Sequence, residues 1–147
     1  MITREVVDSS DAIKLMDELS ESLQAITGNS GRSSFDPQDV CEPRALFVIA
    51  RNVNREALGC GAIRPISENI AEVKRMYSRV KGEGTGKQIL AYLEKQAKTL
   101  GYSVIWLETR KTNTGAVSFY LSQGYHVIPN YGKYVGRTEA ICFEKNL

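Results

Sequence analysis

The sequence predicts an α/β (α+β) fold: a mixed, mostly antiparallel sheet of six to seven strands flanked by helices, in one domain covering residues 1–147. Three observations carry this. Strand-like and helix-like segments follow the order β-α-β-β-β-α-β-α-β-β, which lays helices onto a sheet. Two apolar runs, "ALFVIAR" and "ALGCGAIRPI", flank the polar turn "NVNRE" and read as an antiparallel hairpin. A third run, "SVIWLET", is almost wholly apolar, as a strand covered on both faces must be.

Taken in order, "ITREVV" (Ile2–Val7) supplies a first strand. Ser9 or Ser10 can then cap a helix whose apolar positions Ile13, Met16, Leu19, Leu23 and Ile26 recur at helical spacing, with Gly28 as its stop. From Asn29 to Pro43 the chain is rich in Ser, Gly, Asp and Pro, and reads as a loop with a short helical turn after Asp36-Pro37. A loop of this length is unusual in a compact domain and is a candidate lid on a substrate site. The hairpin (Ala45–Arg51 and Ala57–Ile66) leads through Ser67–Asn69 to a third strand, "IAEVKRMYS". A glycine turn feeds a helix from about Gly86 to Leu100, with Ile89, Leu90, Leu93 and Ala97 inward. The buried strand Ser103–Thr109, a short helix over about Thr114–Gln123, and the strands "YHVI" and "EAICFEK" around the loop Pro129–Arg137 complete the chain.

Composition narrows the functions available. With 19 basic and 17 acidic residues, the net charge of +2 gives no electrostatic reason to expect nucleic acid or an anionic membrane as partner. No apolar run reaches a membrane span, and "MITREVVDSS" lacks the pattern of a signal peptide. Three cysteines, Cys41, Cys60 and Cys142, form no C-x-x-C pair, which fits a reducing cytoplasm. With His126 the single histidine, no metal site is expected.

The chemistry concentrates at "KGEGTGKQIL", Lys81 to Leu90. A glycine-rich turn opening a helix offers bare N–H groups and the positive end of the helix dipole to a phosphate. A Walker A loop would need glycine where Lys81 stands and a hydroxyl where Gln88 stands. The dinucleotide turn needs G-x-G-x-x-G, but the spacing here is G-x-G-x-G. A third pattern fits. Lys81-Gly82-Glu83-Gly84-Thr85-Gly86 follows Q/R-x-x-G-x-G/A, with lysine in the first place, and Asn113, Ala116, Tyr120, Gly124 and Tyr125 follow N-x-x-A-x-x-x-Y-x-x-x-G-F/Y. Together these resemble the acetyl-CoA core of the GNAT (GCN5-related) N-acetyltransferases over about Glu72 to Tyr125, and the strand order of the whole chain agrees.

The resemblance implies an acyltransferase that moves the acetyl group of acetyl-CoA to a primary amine of a small molecule, by direct attack in a ternary complex. A protein lysine or N-terminal acetyltransferase and a non-catalytic acyl-CoA-binding module are the alternatives. A homodimer, frequent in that family, is an open option. Coenzyme A would set its pyrophosphate on the amides of Gly82, Glu83, Gly84, Thr85, Gly86 and Lys87, with Lys81 and Lys87 adding charge at the rim. The strand end Met76, Tyr77 and Ser78, splayed from its neighbour by a bulge, would pair with the pantetheine arm, and an N–H at or beside Tyr77 would meet the thioester oxygen. Asn113 would bond the cofactor, cap the next helix, or do both. Tyr120 matches the tyrosine that contacts the cofactor and protonates the departing thiolate. Glu72 stands where several members carry a general base, or it is paired with Lys74 or Arg75. For the acceptor, Arg64 and Arg75 could hold a carboxylate, and Tyr131 and Tyr134 could wall the pocket; surface roles compete for both arginines. Trp106, Cys60 and Cys142 read as core, and His126 as a plain strand residue.

Overall fold

A computed structural model describes all residues, Met1–Leu147. Its elements are β1 (Ile2–Arg4), α1 (Ser10–Thr27), β2 (Leu46–Arg51), β3 (Ala57–Pro65), β4 (Ile70–Ser78), α2 (Thr85–Thr99), β5 (Val104–Arg110), α3 (Thr114–Ser122), β6 (His126–Ile128) and β7 (Ala140–Asn146). They form one seven-stranded sheet in the order β1-β2-β3-β4-β5-β7-β6. Every pairing is antiparallel except β4 with β5. This is the mixed, mostly antiparallel sheet that the element order implies.

The sheet buries both faces. On one, α2 lays Ile89, Leu90, Leu93 and Ala97 over Leu46, Val48, Ile63, Val73 and Leu107, and Tyr120 of α3 joins the same core. On the other, Ala12 and Leu15 of α1 pack on Phe47, Ile49, Cys60 and Ala62. Successive residues of β2 therefore serve opposite cores, which is why "LFVIAR" carries no polar alternation.

Local signals set most boundaries. The Ser9 side chain accepts from the Ala12 amide at 3.1 Å to start α1, and Gly28, at φ 78°, ends it by donating to the Gln24 carbonyl. Asp36 accepts from the Gln38 amide at 2.9 Å and opens a 3₁₀ turn over Pro37–Val40. Two expectations shift. β1 stops at Arg4 rather than Val7, with Val6 exposed. The inward stripe of α1 is Ala12, Leu15 and Leu19, whereas Ile13 and Ile26 are about half exposed, at 49% and 48%. In the first two turns the stripe moves by one residue, about 100° around the helix, from Ile13 and Met16 to Ala12 and Leu15, while Leu19 is common to both. The contour of the sheet selects between them.

What positions the site is a break between two strands. β4 pairs with β5 only at Ile70–Val104, Ala71–Ile105 and Glu72–Trp106. Between Cys60 and Ala62 of β3, β4 advances one residue too many, from Lys74 to Tyr77. This bulge is centred on Arg75, whose φ of 55° is left-handed. Beyond it β4 stays with β3 and leaves β5, so its far edge runs open to Ser78.

Candidate active site

The splayed strands open into a cleft of about 900 Å³ that runs from the start of α2, between β4 and β5, to the end of α1. At one end lies the glycine turn. Gly82 and Gly84 have φ of 81° and 78°, a region where other residues are strained, and a Cβ on either would touch nothing within 4 Å. They are required for backbone shape, not for space. The resulting curl leaves the amides from Gly82 to Lys87 without a hydrogen-bond partner in the chain; the first helical bond runs from the Gln88 amide to the Gly84 carbonyl at 3.0 Å. Lys81, Gly82, Gly84, Thr85, Gly86 and Lys87 all line the cleft, and Glu83 lies outside its wall. Such a run of converging donors at a helix N-terminus suits a pyrophosphate.

Met76, Tyr77 and Ser78 form the next stretch of wall, on the open edge of β4. With β5 withdrawn, their outward N–H and C=O groups can pair with an extended amide-bearing arm, as an added strand would. The Tyr77 hydroxyl is tied to Glu18 at 3.2 Å, so the backbone rather than the ring is what Tyr77 offers the cleft. Across the cleft, Asn113 caps α3 by accepting from the Ala116 amide at 3.3 Å through Oδ1, and its side-chain Nδ2 makes no hydrogen bond in the chain.

Tyr120 reaches the cleft from α3 and is 7% exposed. Its ring is fixed by Phe119, Tyr125 and Phe143 at centroid distances of 5.2, 5.7 and 6.1 Å. Its hydroxyl has no hydrogen-bond partner in the chain. Burial raises its pKa well above the usual tyrosine value, so the proton stays on the oxygen at neutral pH.

The acceptor candidates separate into two groups. Arg75, Tyr134 and the wall of the α1–β2 loop (Asn29, Gly31, Ser33 and Ser34) line the cleft. Arg64, Glu72 and Tyr131 do not. Glu72 is fully buried, with Arg64 Nε donating to it at 2.7 Å and the Tyr131 hydroxyl bonded to its other oxygen. Neither Lys74 nor Arg75, the partners suggested by proximity in sequence, holds it. Arg64 stands directly across from Glu72 in the β3–β4 register, and its free edge turns to Asp39 at 3.7 Å. The chain's own carboxylates thus occupy Arg64.

Two cleft residues were not singled out by sequence. Lys74, 8% exposed, donates to the Tyr134 hydroxyl at 3.0 Å, and burial lowers its pKa. Glu108, on β5, makes no hydrogen bond in the chain; its Oε2 is buried and unpartnered, and burial raises its pKa. Counting on from the last pair, Glu72–Trp106, Lys74 and Glu108 face each other where the strands part. The available signal was a charge inside the apolar run "SVIWLET", on the face that also carries Trp106. Trp106 itself is half-buried, donating to Glu144 at 2.8 Å and packed on Tyr131 at 4.8 Å. His126 is exposed beside Glu144 at 3.3 Å.

A family model described as "Acetyltransferase (GNAT) family" matches residues 13–125. The chain belongs to the GNAT acetyltransferase family. It is 28% identical to an IAA acetyltransferase of Azospirillum brasilense, over 99% of this chain and 97% of the relative. It also superposes on a Klebsiella pneumoniae protein assigned as an acyl-CoA N-acyltransferase, with TM-score 0.84 and 26% identity over 100% and 97% of the two chains. A GNAT acetyltransferase from Elizabethkingia anophelis, solved with acetyl-CoA bound, shares the fold at TM-score 0.73 and 17% identity, over 100% and 97%. This GNAT chain is therefore an acyltransferase enzyme, and the cleft between its β4 and β5 is the place to seek the reaction.

Proposed function

We propose that this chain is an acetyl-CoA-dependent N-acetyltransferase that acylates the primary amine of a small molecule by direct attack in a ternary complex. The observation that carries the reading is the continuity of the cleft. It joins the unpartnered amides of Gly82–Lys87, the open edge of β4 at Met76–Ser78, and the free Tyr120 hydroxyl. These residues fit acetyl-CoA, which when bound supplies an acetyl group on a thioester. The amides at the start of α2, with Lys81 and Lys87 beside them, would hold its pyrophosphate, and Asn113 would add a side-chain donor.

Tyr120 would give its proton to the departing sulfur, and its burial keeps that proton available. Glu72 cannot touch an acceptor from its enclosed position; its part in the reaction is to hold Arg64 and Tyr131 behind the cleft wall. Asn29, Gly31, Ser33 and Ser34 wall one end of the cleft, which suits a small acceptor better than a protein chain. The free cysteines, two of them buried in the sheet, support a reducing, cytoplasmic setting. No helix is long and apolar enough to cross a membrane.

Thiol release from acetyl-CoA across a panel of amines, amino acids and peptides tests the activity. A thermal shift tests the cofactor: at 100 times Kd, acetyl-CoA should stabilise the fold by about 2.7 kcal/mol. Stabilisation by ATP or NAD but not by acetyl-CoA would overturn the reading.

A further inference from the structure

Just two buried side-chain polar atoms in the chain lack a hydrogen-bond partner: Arg75 Nε and Glu108 Oε2. Both residues line the same cleft. They carry opposite charge, and neither is in an ion pair. Unsatisfied buried polar atoms are rare because each forfeits its hydration, so two of opposite sign in one cleft point to a ligand that satisfies both.

Arg75 is held firmly. Its Nη2 donates to the Met16 carbonyl at 3.0 Å and to Ser20 Oγ at 2.8 Å, and the guanidinium stands over the Phe35 ring at 5.8 Å. Nη1 and Nε are left without acceptors. Apolar and small polar side chains share its surroundings: Leu23 Cδ1 and Arg75 Nη1 both reach toward Gly31, at 3.0 and 3.5 Å from where its Cβ would stand, and Ser22, Ser33 and Ser34 line the same end. Leu19 and Ile26 of α1 continue that wall. Around Glu108 stand Lys74 from β4, Tyr134 and Arg137 from the β6–β7 loop, Cys142 from β7, Arg110 from its own strand and the enclosed Glu72. None of them bonds its carboxylate.

We propose that the acceptor is an amino acid with an apolar side chain, its carboxylate held by Arg75, its side chain against Leu19, Leu23 and Ile26, and its amine at Glu108, which takes the amine's proton. This rests on the acetyltransferase reading above and names its substrate class. The step balances: one proton of the ammonium passes to the Glu108 carboxylate, and the nitrogen lone pair forms the N–C bond to the acetyl carbon. The C–S bond then breaks, the sulfur takes the Tyr120 proton, and the second amine proton, lost as the amide forms, returns to Tyr120 through solvent.

The test compares L-phenylalanine with phenethylamine, and L-leucine with 3-methylbutylamine, by thiol release corrected for the fraction of neutral amine. The amino acids should be preferred by about 100-fold in kcat/KM. Arg75→Gln should abolish the preference by slowing the amino acids alone, while Arg4→Gln, exposed on β1 and outside the cleft, should keep it. Calorimetry with L-phenylalanine on the protein saturated with coenzyme A gives a second readout: binding should be lost in R75Q and kept in R4Q. Glu108→Gln should cut kcat by about 100-fold or more and remove the group's limb from the pH profile, with coenzyme A binding unchanged. Equal rates for amines and amino acids, or discrimination kept in R75Q, would overturn the inference and leave the acetyltransferase standing. No thiol release with either class, together with no stabilisation by acetyl-CoA, would overturn both.

Discussion

Two clusters built from the same residue types lie two to three residues apart along β4 and β5. The first, Glu72 with Arg64 and Tyr131, is closed: the carboxylate is fully buried and both its oxygens are engaged. The second, Arg75 and Glu108 with Lys74 and Tyr134, is open: the guanidinium has unused donors and the carboxylate no partner. The boundary is the last β4–β5 pair, Glu72–Trp106. Where the strands are paired, neighbouring side chains complete each other; past that point the same chemistry faces a cleft. Strand splay, and not residue type, separates structural charge from charge available to a ligand.

The sharpest way to test the contrast is to remove each carboxylate. Glu72→Ala leaves a half-buried Arg64 with only Asp39 at 3.7 Å and the Tyr131 hydroxyl without a partner, and should cost about 3 kcal/mol in chemical denaturation. Glu108→Gln, having no partner to strand, should change stability by less than about 1 kcal/mol. Equal losses from the two substitutions would erase the distinction. On the open side, Tyr120→Phe removes only a free hydroxyl from a packed ring. Turnover should fall about 100-fold or more at saturating acetyl-CoA, with affinity and stability nearly unchanged. Unchanged turnover would remove Tyr120 from the reaction.

Smaller effects come from the far end of the cleft. Gly84→Ala meets no steric obstacle but forces a left-handed residue, so it should cost about 1 kcal/mol and weaken acetyl-CoA binding, read by denaturation and calorimetry. The smallest effect is a slope with pH. Burial raises the Glu108 pKa above the ordinary 4.5, so the folded state binds that proton more tightly than the unfolded chain does. Its contribution to stability therefore falls as pH rises through the window above 4.5. Glu18 has the opposite sign: hydrogen bonding to Arg79 lowers its pKa, so its contribution is present above 4.5 and lost as pH falls. Denaturation midpoints of the wild type, E108Q and E18Q at about pH 4 and 7 read both slopes.

Most of the scaffold was legible because its signals are local. Ser9 and Gly28 bound α1, Asp36-Pro37 starts a turn, and the apolar runs name the sheet. The motif from Lys81 to Tyr125 was legible for a related reason: backbone shape and helix spacing impose it within short segments. The partner of Glu72 was not, because Arg64 meets it across strands, in a register that sequence distance does not reveal. Glu108 was missed because a single charge in an apolar strand looks the same whether it is paired or open.

The sequence by itself determined the family, the order of strands and helices, and the residues that shape the glycine turn. These follow from propensity, capping and spacing, which act between near neighbours. Only the tertiary structure decided which of two apolar stripes on α1 faces the sheet, which arginine is occupied, and which carboxylate is left without a partner. Those outcomes depend on where β4 parts from β5, and that parting exists only once distant segments have packed.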